Sequence, residues 1–236
     1  MNPATTKTSP LQQSIQTEES KVRDYSGRQY GRLWEAYETA CSLLSQLAQQ
    51  GGSDSDGKPL NGPERLSLTA SLLQSCFILE HLISSGYYVS SVAILRQHME
   101  ILARVIELRQ GLVKDSKTTP NVKLLPFRLS RNYGRLSEIF HTSSGEYLSC
   151  FVEDLENEAV ATFLPSYRDD WSRILFAVHI AHLVTLAQEI DSLHKDLYPN
   201  KTLISITEEL NSIASILAET GFWEELPNKP LERIGE

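Results

Sequence analysis

The stretch YYVSSVAILRQHMEILARVIELRQ, residues 87–110, decides the architecture. Wound at about 100° per residue, with Val92 at zero, it places Leu95, Met99, Leu102 and Ile106 between roughly 280° and 340°. Ile94, Ile101, Val105 and Leu108 fall at roughly 160–220° on the same wheel. A helix apolar over most of its circumference belongs in the middle of a bundle. Glycines at 86 and 111 bracket it as punctuation. Between the two apolar faces runs a narrow charged strip of Arg96, Glu100, Arg104 and Glu107. Arg96–Glu100 and Glu100–Arg104 are i,i+4 pairs that can neutralise one another. The strip is either a solvent face or a half-buried polar network lining a groove, and burial would require every member to be paired.

Outward from this helix the same periodicity recurs. Residues 21–50 repeat Tyr30, Leu33, Trp34, Tyr37, Leu44 and Leu47 at helical spacing, and end in the loop GGSDSDGKPLNGP, 51–63. Pro63 opens a strongly apolar helix through Leu66, Leu68, Leu72, Leu73, Phe77, Ile78 and Leu82 to Ser85. C-terminal to the quoted stretch, 112–126 read as an irregular connection and Phe127–Phe140 as a shorter helix. Ser166–Leu197 form a long helix stopped by Tyr198-Pro199-Asn200, and Thr202–Thr220 a last one. Within 142–165 the composition permits a short β-hairpin or an irregular segment. The prediction is an all-α bundle of about six helices: one domain over 21–226, a disordered tail over 1–20 and a C-terminal tail over 227–236.

The chain has 236 residues and 41% hydrophobic content, enough for a core without disulfides or metal. Its three cysteines, Cys41, Cys76 and Cys150, form no framework, which fits a reducing compartment. No signal-peptide core opens the sequence, and the longest apolar window, 174–187, is short of a bilayer span. The expectation is a cytoplasmic protein without a membrane partner. Net charge is −8, but it is unevenly placed. From Arg104 to Arg135 eight bases meet two acids, giving +6 there and −14 elsewhere. Arg128 and Arg131 are the candidate phosphate contacts of that segment, unless it docks on the acidic run Glu153, Asp154, Glu156, Glu158.

Other chemistries find little to build on. His179 and His182, three apart, could face one metal, but His182 shares its stripe with Leu175, Val178, Leu186 and Leu193, and core imidazoles are the simpler reading. Di-metal bundles need two Glu-x-x-His motifs, and the chain has one, Glu138-x-x-His141. No GxSxG and no glycine-rich phosphate loop is present. No metal and no cofactor is predicted.

One combination is suggestive: Leu95, Arg96 and Glu100 on the central helix, then Tyr133, Leu136, Ser137 and His141 in RNYGRLSEIFHTSSGEY, 131–147. It resembles a group of bacterial helical proteins of unassigned function and, more distantly, the HEPN superfamily of helical ribonucleases and toxin-like proteins. The HEPN pattern sets an arginine, four to six residues, then a histidine; Arg135 and His141 match the spacing. Arg131-Asn132 carries the family's Arg-Asn pair, too far ahead of His141 for that register, where the compact form would need arginine at Leu136. The resemblance implies a homodimer and metal-independent RNA cleavage. His141 would be general acid or base, Arg135 would stabilise phosphate charge, and Ser137 or Tyr147 would orient the groups. The reading placed first is a non-catalytic HEPN-like interaction or small-ligand module, with Arg96, Glu100 and Arg104 as its polar network.

Overall fold

The computed structural model describes residues 9–50, 55–113, 117–140, 151–155 and 158–222. Its elements are α1 (Pro10–Tyr30), α2 (Arg32–Gln50), α3 (Gly62–Ser84), α4 (Tyr88–Gln110), a 3-10 turn (Val122–Leu124), α5 (Leu129–Phe140), β1 (Val152–Leu155), β2 (Glu158–Ala161), α6 (Asp169–Leu197) and α7 (Thr207–Glu219). The all-α bundle is as expected. Its one sheet among the described residues is an antiparallel hairpin pairing Val152 with Ala161 and Leu155 with Glu158, within the segment where the composition permitted one.

The first helix differs from the sequence reading. It begins at Pro10, not near residue 21, and breaks at Gly31. The Ser9 hydroxyl accepts the Gln12 N–H at 3.2 Å while the Gln12 side chain accepts the Ser9 N–H at 2.9 Å. This capping box, with Pro10 in the first turn, satisfies the exposed helix end that a Thr/Ser/Gln-rich composition had suggested would stay unfolded. Gly31, at φ 50° and ψ −122°, turns the chain in a conformation that side-chain-bearing residues avoid. Its carbonyl accepts the Trp34 N–H and starts α2. The expected tail over 227–236 lies outside the described residues.

Helix α6 is the axis. From Ser172 to Leu193 it is buried at nearly every position, and it packs against α2, α3, α4 and α7. The α1–α2 corner is locked onto it by aromatic stacking: Tyr30 lies on Phe176 with centroids 4.0 Å apart and planes 5° apart, and Trp34 is parallel to the same ring at 5.9 Å. The Tyr30 hydroxyl meets Ser172 Oγ at 2.9 Å, so the buried phenol keeps a partner. Burial pushes its pKa well above the usual tyrosine value.

At the other end, Arg65 of α3 is 1% exposed inside an apolar run. Its guanidinium donates to Asp196 Oδ2 at 2.7 Å and reaches Ser192 Oγ, tying α3 to the end of α6. The loop before α3 closes over that end, with the Gly57 N–H donating to the Leu197 carbonyl at 2.9 Å. By length and composition two helices could cross a membrane, α3 and α6. The apolar window of α6 is 89% buried within the bundle, whereas that of α3 is 33% buried.

Candidate functional site

Helix α5 lies along α4, and between them Arg96 and Glu100 of α4 meet Tyr133 of α5. It starts abruptly. Phe127 and Arg128 have φ of 57° and 56°, and the Leu129 N–H donates to the Pro126 carbonyl at 3.1 Å. That is the pattern of a type I′ turn, ordinarily filled by Asn-Gly. Two side-chain-bearing residues held there carry backbone strain of order 1–3 kcal/mol each. The strained turn delivers the Arg128 carbonyl to the Arg131 N–H at 2.9 Å and nucleates α5. Leu129 and Leu136 are buried, as is Asn132.

The polar network exists, with a different membership. The Tyr133 phenol donates to Glu100 Oε1 at 2.8 Å and accepts from Arg96 Nη2 at 3.3 Å. Arg96 also stands over the Tyr133 ring, 5.3 Å from its centroid, and 3.6 Å from Glu100. Phenol, guanidinium and carboxylate thus complete one another and clamp α5 to α4. Arg104 is not in this network, because one helical turn further on the connection 117–124 covers the strip. There Arg104 pairs with Glu107 at 3.0 Å and donates to the Thr118 carbonyl. Glu107 in turn accepts the Asn121 N–H at 2.7 Å. Arg109 pairs with the buried Glu189 of α6 at 2.9 Å.

Two of the eight bases of the +6 segment, Arg104 and Arg109, are therefore spent on internal pairing. Among the described residues the segment's exposed bases are Lys117 and Lys123 on the connection and Arg128 and Arg131 at the start of α5. Arg128 and Arg131 are exposed and Arg135 is half-buried. On an ideal helix Arg131 and Arg135 stand about 40° apart and share one strip, and Arg128 precedes them in the turn that opens α5. The Ser137 hydroxyl donates to the Tyr133 carbonyl at 2.8 Å. His141, Tyr147, and the side chains of Glu153, Asp154, Glu156 and Glu158 lie outside the described residues.

Three histidines meet in the core, one more than the sequence reading noticed. His98 of α4 and His179 and His182 of α6 are 3%, 0% and 2% exposed. The His98 and His182 rings are 6.2 Å apart and His179 faces Tyr37 at 5.8 Å. His98 Nε2 is bonded to Ser75 Oγ at 2.8 Å, while neither nitrogen of His179 or His182 has a hydrogen-bond partner among the described residues. Burial lowers the pKa of His98 to about 4 and that of His179 to about 3, and drives His182 well below the usual value. Among the described residues no group of three or more His, Cys, Asp or Glu side chains could hold a metal ion.

A second ion network, which the sequence did not suggest, joins α1 to α3. Arg23 donates to Glu80 Oε2 at 3.0 Å and Ser84 Oγ at 3.0 Å, and meets His81 Nδ1 at 2.6 Å. The other His81 nitrogen faces Glu19 at 2.8 Å. These residues are scattered along two helices, and only their packing brings them together. On the opposite side of α1 an open cleft of about 520 Å³ is lined by Lys21, Val22, Tyr25, Arg28 and Tyr167. Its polar tips are engaged with neighbours: Lys21 with Glu18 at 2.6 Å, Tyr167 with Asp169 at 2.7 Å, and Arg28 over the Tyr25 ring.

No family model, curated protein or solved structure matches the chain.

Proposed function

We propose that the chain is a non-catalytic, HEPN-like helical module that docks a polyanionic partner, single-stranded RNA being the class to test first, on the arginine strip of α5. The observation that carries this reading is the placement of Arg128 and Arg131 at the start of α5. The first turn holds no acidic residue. A helix N-terminus is already positive, so arginines there oppose the dipole by about 0.3–1 kcal/mol each. An anionic partner converts that opposition into attraction, since the guanidinium groups then pair with its phosphates at the positive helix end. Elsewhere the chain is strongly acidic, which confines such a partner to this strip and repels it from the rest.

A binding role is supported over a catalytic one by how the neighbouring polar groups are employed. The Ser137 hydroxyl is held by its own helix, and Arg96 and Glu100 are occupied with Tyr133. The competing reading is cleavage by Arg135 and His141. Both are tested together by incubating labelled single-stranded RNA with the native chain, with His141→Ala and with the double variant Arg128→Glu/Arg131→Glu. The proposal expects binding by the first two, loss of binding by the third, and intact RNA throughout. Cleavage that disappears in His141→Ala would replace this reading with the nuclease. Equal binding by the double variant would remove it.

A further inference from the structure

The connection between α4 and α5 is tied to α4 through its backbone. Glu107 is 8% exposed and forms an i,i+3 pair with Arg104 at 3.0 Å. Such a pair can satisfy itself on its own helix. Here both members also reach across to the connection: Glu107 Oε1 accepts the Asn121 N–H at 2.7 Å, and Arg104 donates to the Thr118 carbonyl. Asn121 passes the constraint on. Its side-chain oxygen accepts the Lys123 N–H at 3.2 Å and its carbonyl accepts the Leu124 N–H at 3.1 Å, which closes the 3-10 turn Val122–Leu124. Leu125 is buried beyond that turn, and the strained Phe127–Arg128 turn then starts α5. Two groups of α4 therefore hold the backbone beside two exposed lysines, Lys117 next to Thr118 and Lys123 two residues after Asn121. From Lys117 to Ser137 the sequence has five bases, Lys117, Lys123, Arg128, Arg131 and Arg135, and no acid.

We propose that the Arg104–Glu107 pair is a positioning element for the polyanion site, presenting Lys117 and Lys123 as further phosphate contacts beside Arg128 and Arg131. The inference rests on the reading of the α5 strip as a polyanion site and enlarges that site onto the connection. A lysine ammonium is a point charge on a flexible four-carbon stem, so what the fold can fix is the backbone it reaches from. Fixing that backbone in advance lowers the entropy lost when an anion is bound. Exposed bases on two successive elements call for several phosphates in series, which a single strand provides. Glu107 has the wrong sign for a neighbour of phosphate. By charge alone its removal would tighten polyanion binding. As a positioning residue, its removal loosens binding instead, and these opposite signs make the role measurable.

The test is the affinity of the full chain for a labelled single-stranded RNA at about 50 to 200 mM salt. Lys117→Gln/Lys123→Gln should reduce the slope of log K against log salt by about 1.4, or about 0.7 per contact. Glu107→Leu loses both the Arg104 pair and the Asn121 bond, and should weaken binding about threefold or more although it removes a negative charge. Glu107→Gln keeps an acceptor oxygen for the Asn121 N–H and should bind at least as tightly as the native chain. Asn121→Pro deletes the same bond from the exposed side, at a φ of −81° that suits proline, and should weaken binding as Glu107→Leu does. Added to the lysine double variant, either substitution should change affinity by less than about twofold, because the groups it positions are gone. A native chain that binds while the lysine double variant keeps the native slope overturns the inference and leaves the α5 strip standing. So does unchanged or tighter binding by both Glu107→Leu and Asn121→Pro, or an equally large loss in the absence of the two lysines. A native chain that does not bind removes both readings.

Discussion

The phenol of Tyr133 on α5 donates to the carboxylate of Glu100 on α4 at 2.8 Å, and this bond, with Arg96 closing the other side, sets how α5 sits on the bundle. The arginine strip is carried by that helix, so its presentation depends on a clamp it does not belong to. Tyr133→Phe removes one donated and one accepted hydrogen bond at a half-buried site while leaving the ring in place. The expected cost is about 1 kcal/mol, which for a chain of this size is a fall in melting temperature of about 2–4 °C. Thermal unfolding followed by circular dichroism measures it, and no change would mean that the clamp contributes nothing to stability.

Acid should destabilise the fold through its core histidines. In the unfolded chain His98, His179 and His182 titrate near 6.5; in the fold burial holds His98 at about 4, His179 at about 3 and His182 well below normal. Below pH 6.5 the unfolded state therefore binds more protons than the native state, and stability decreases as pH falls. The stability is fully present above that pH and is lost progressively from 6.5 down to the folded values. Each group contributes a slope approaching 1.4 kcal/mol per pH unit well below its unfolded pKa. Urea unfolding at pH 7.5, 6.5 and 5.5 should show a plateau and then a steep decline.

His182→Leu separates the cause from other acid effects. Neither imidazole nitrogen of His182 has a hydrogen-bond partner among the described residues, so an apolar residue of similar size removes a desolvation cost without orphaning a described neighbour. The expected result is equal or higher stability at pH 7 and a shallower loss between pH 6.5 and 5. A loss above about 2 kcal/mol at pH 7, the range seen for large core truncations, would show that this imidazole makes an essential interaction.

Gly57→Ala is predicted to damage the opposite end of the molecule. A Cβ built there would be 1.8 Å from the Asp196 carbonyl oxygen, so the loop must move and give up the Gly57–Leu197 hydrogen bond. Arg65 anchors the same corner through Asp196. A cost of about 1–3 kcal/mol is expected from enforced overpacking, read as a shift in the urea midpoint with an unchanged slope. An unaffected midpoint would mean that the loop is not docked on α6.

Ser9→Ala should act only locally. It breaks the capping box, worth about 1 kcal/mol to a helix end, on a stretch whose residues 10–14 are all exposed. Amide exchange over residues 11–18 should quicken several-fold while the global melting temperature stays within a degree or so, because the first turns of α1 open as their own unit.

The bundle was legible because burial in α4 and α6 is written as near-continuous apolar faces. The Arg96–Glu100 pair was legible from its spacing, but Tyr133, its third member, lies 33 residues further along and joins it only through α5 packing. Arg104 was placed in the wrong company, since nothing in a helical wheel shows that residues 117–124 fold back over it. The start of α1 was misread because composition outweighed the short cap signal at Ser9 and Gln12. The helix through Leu66, Phe77 and Ile78 was legible as strongly apolar, but periodicity has no means of telling an inward apolar face from an exposed one, and these three side chains are exposed. Of the candidate catalytic residues the described structure contains Arg135 and Ser137. The second of these is engaged with its own backbone.

The central claim is that Arg128, Arg131 and Arg135 form a docking strip for polyanions, and counterion release measures it most directly. The affinity for a labelled single-stranded RNA is determined from 50 to 200 mM salt for the native chain, for Arg131→Gln and for Arg128→Gln/Arg131→Gln. The account predicts a linear fall of log K with log salt concentration, with the slope reduced by about 0.7 for each arginine removed. Binding that is absent at 50 mM salt, or a slope that is the same in all three proteins, would contradict it.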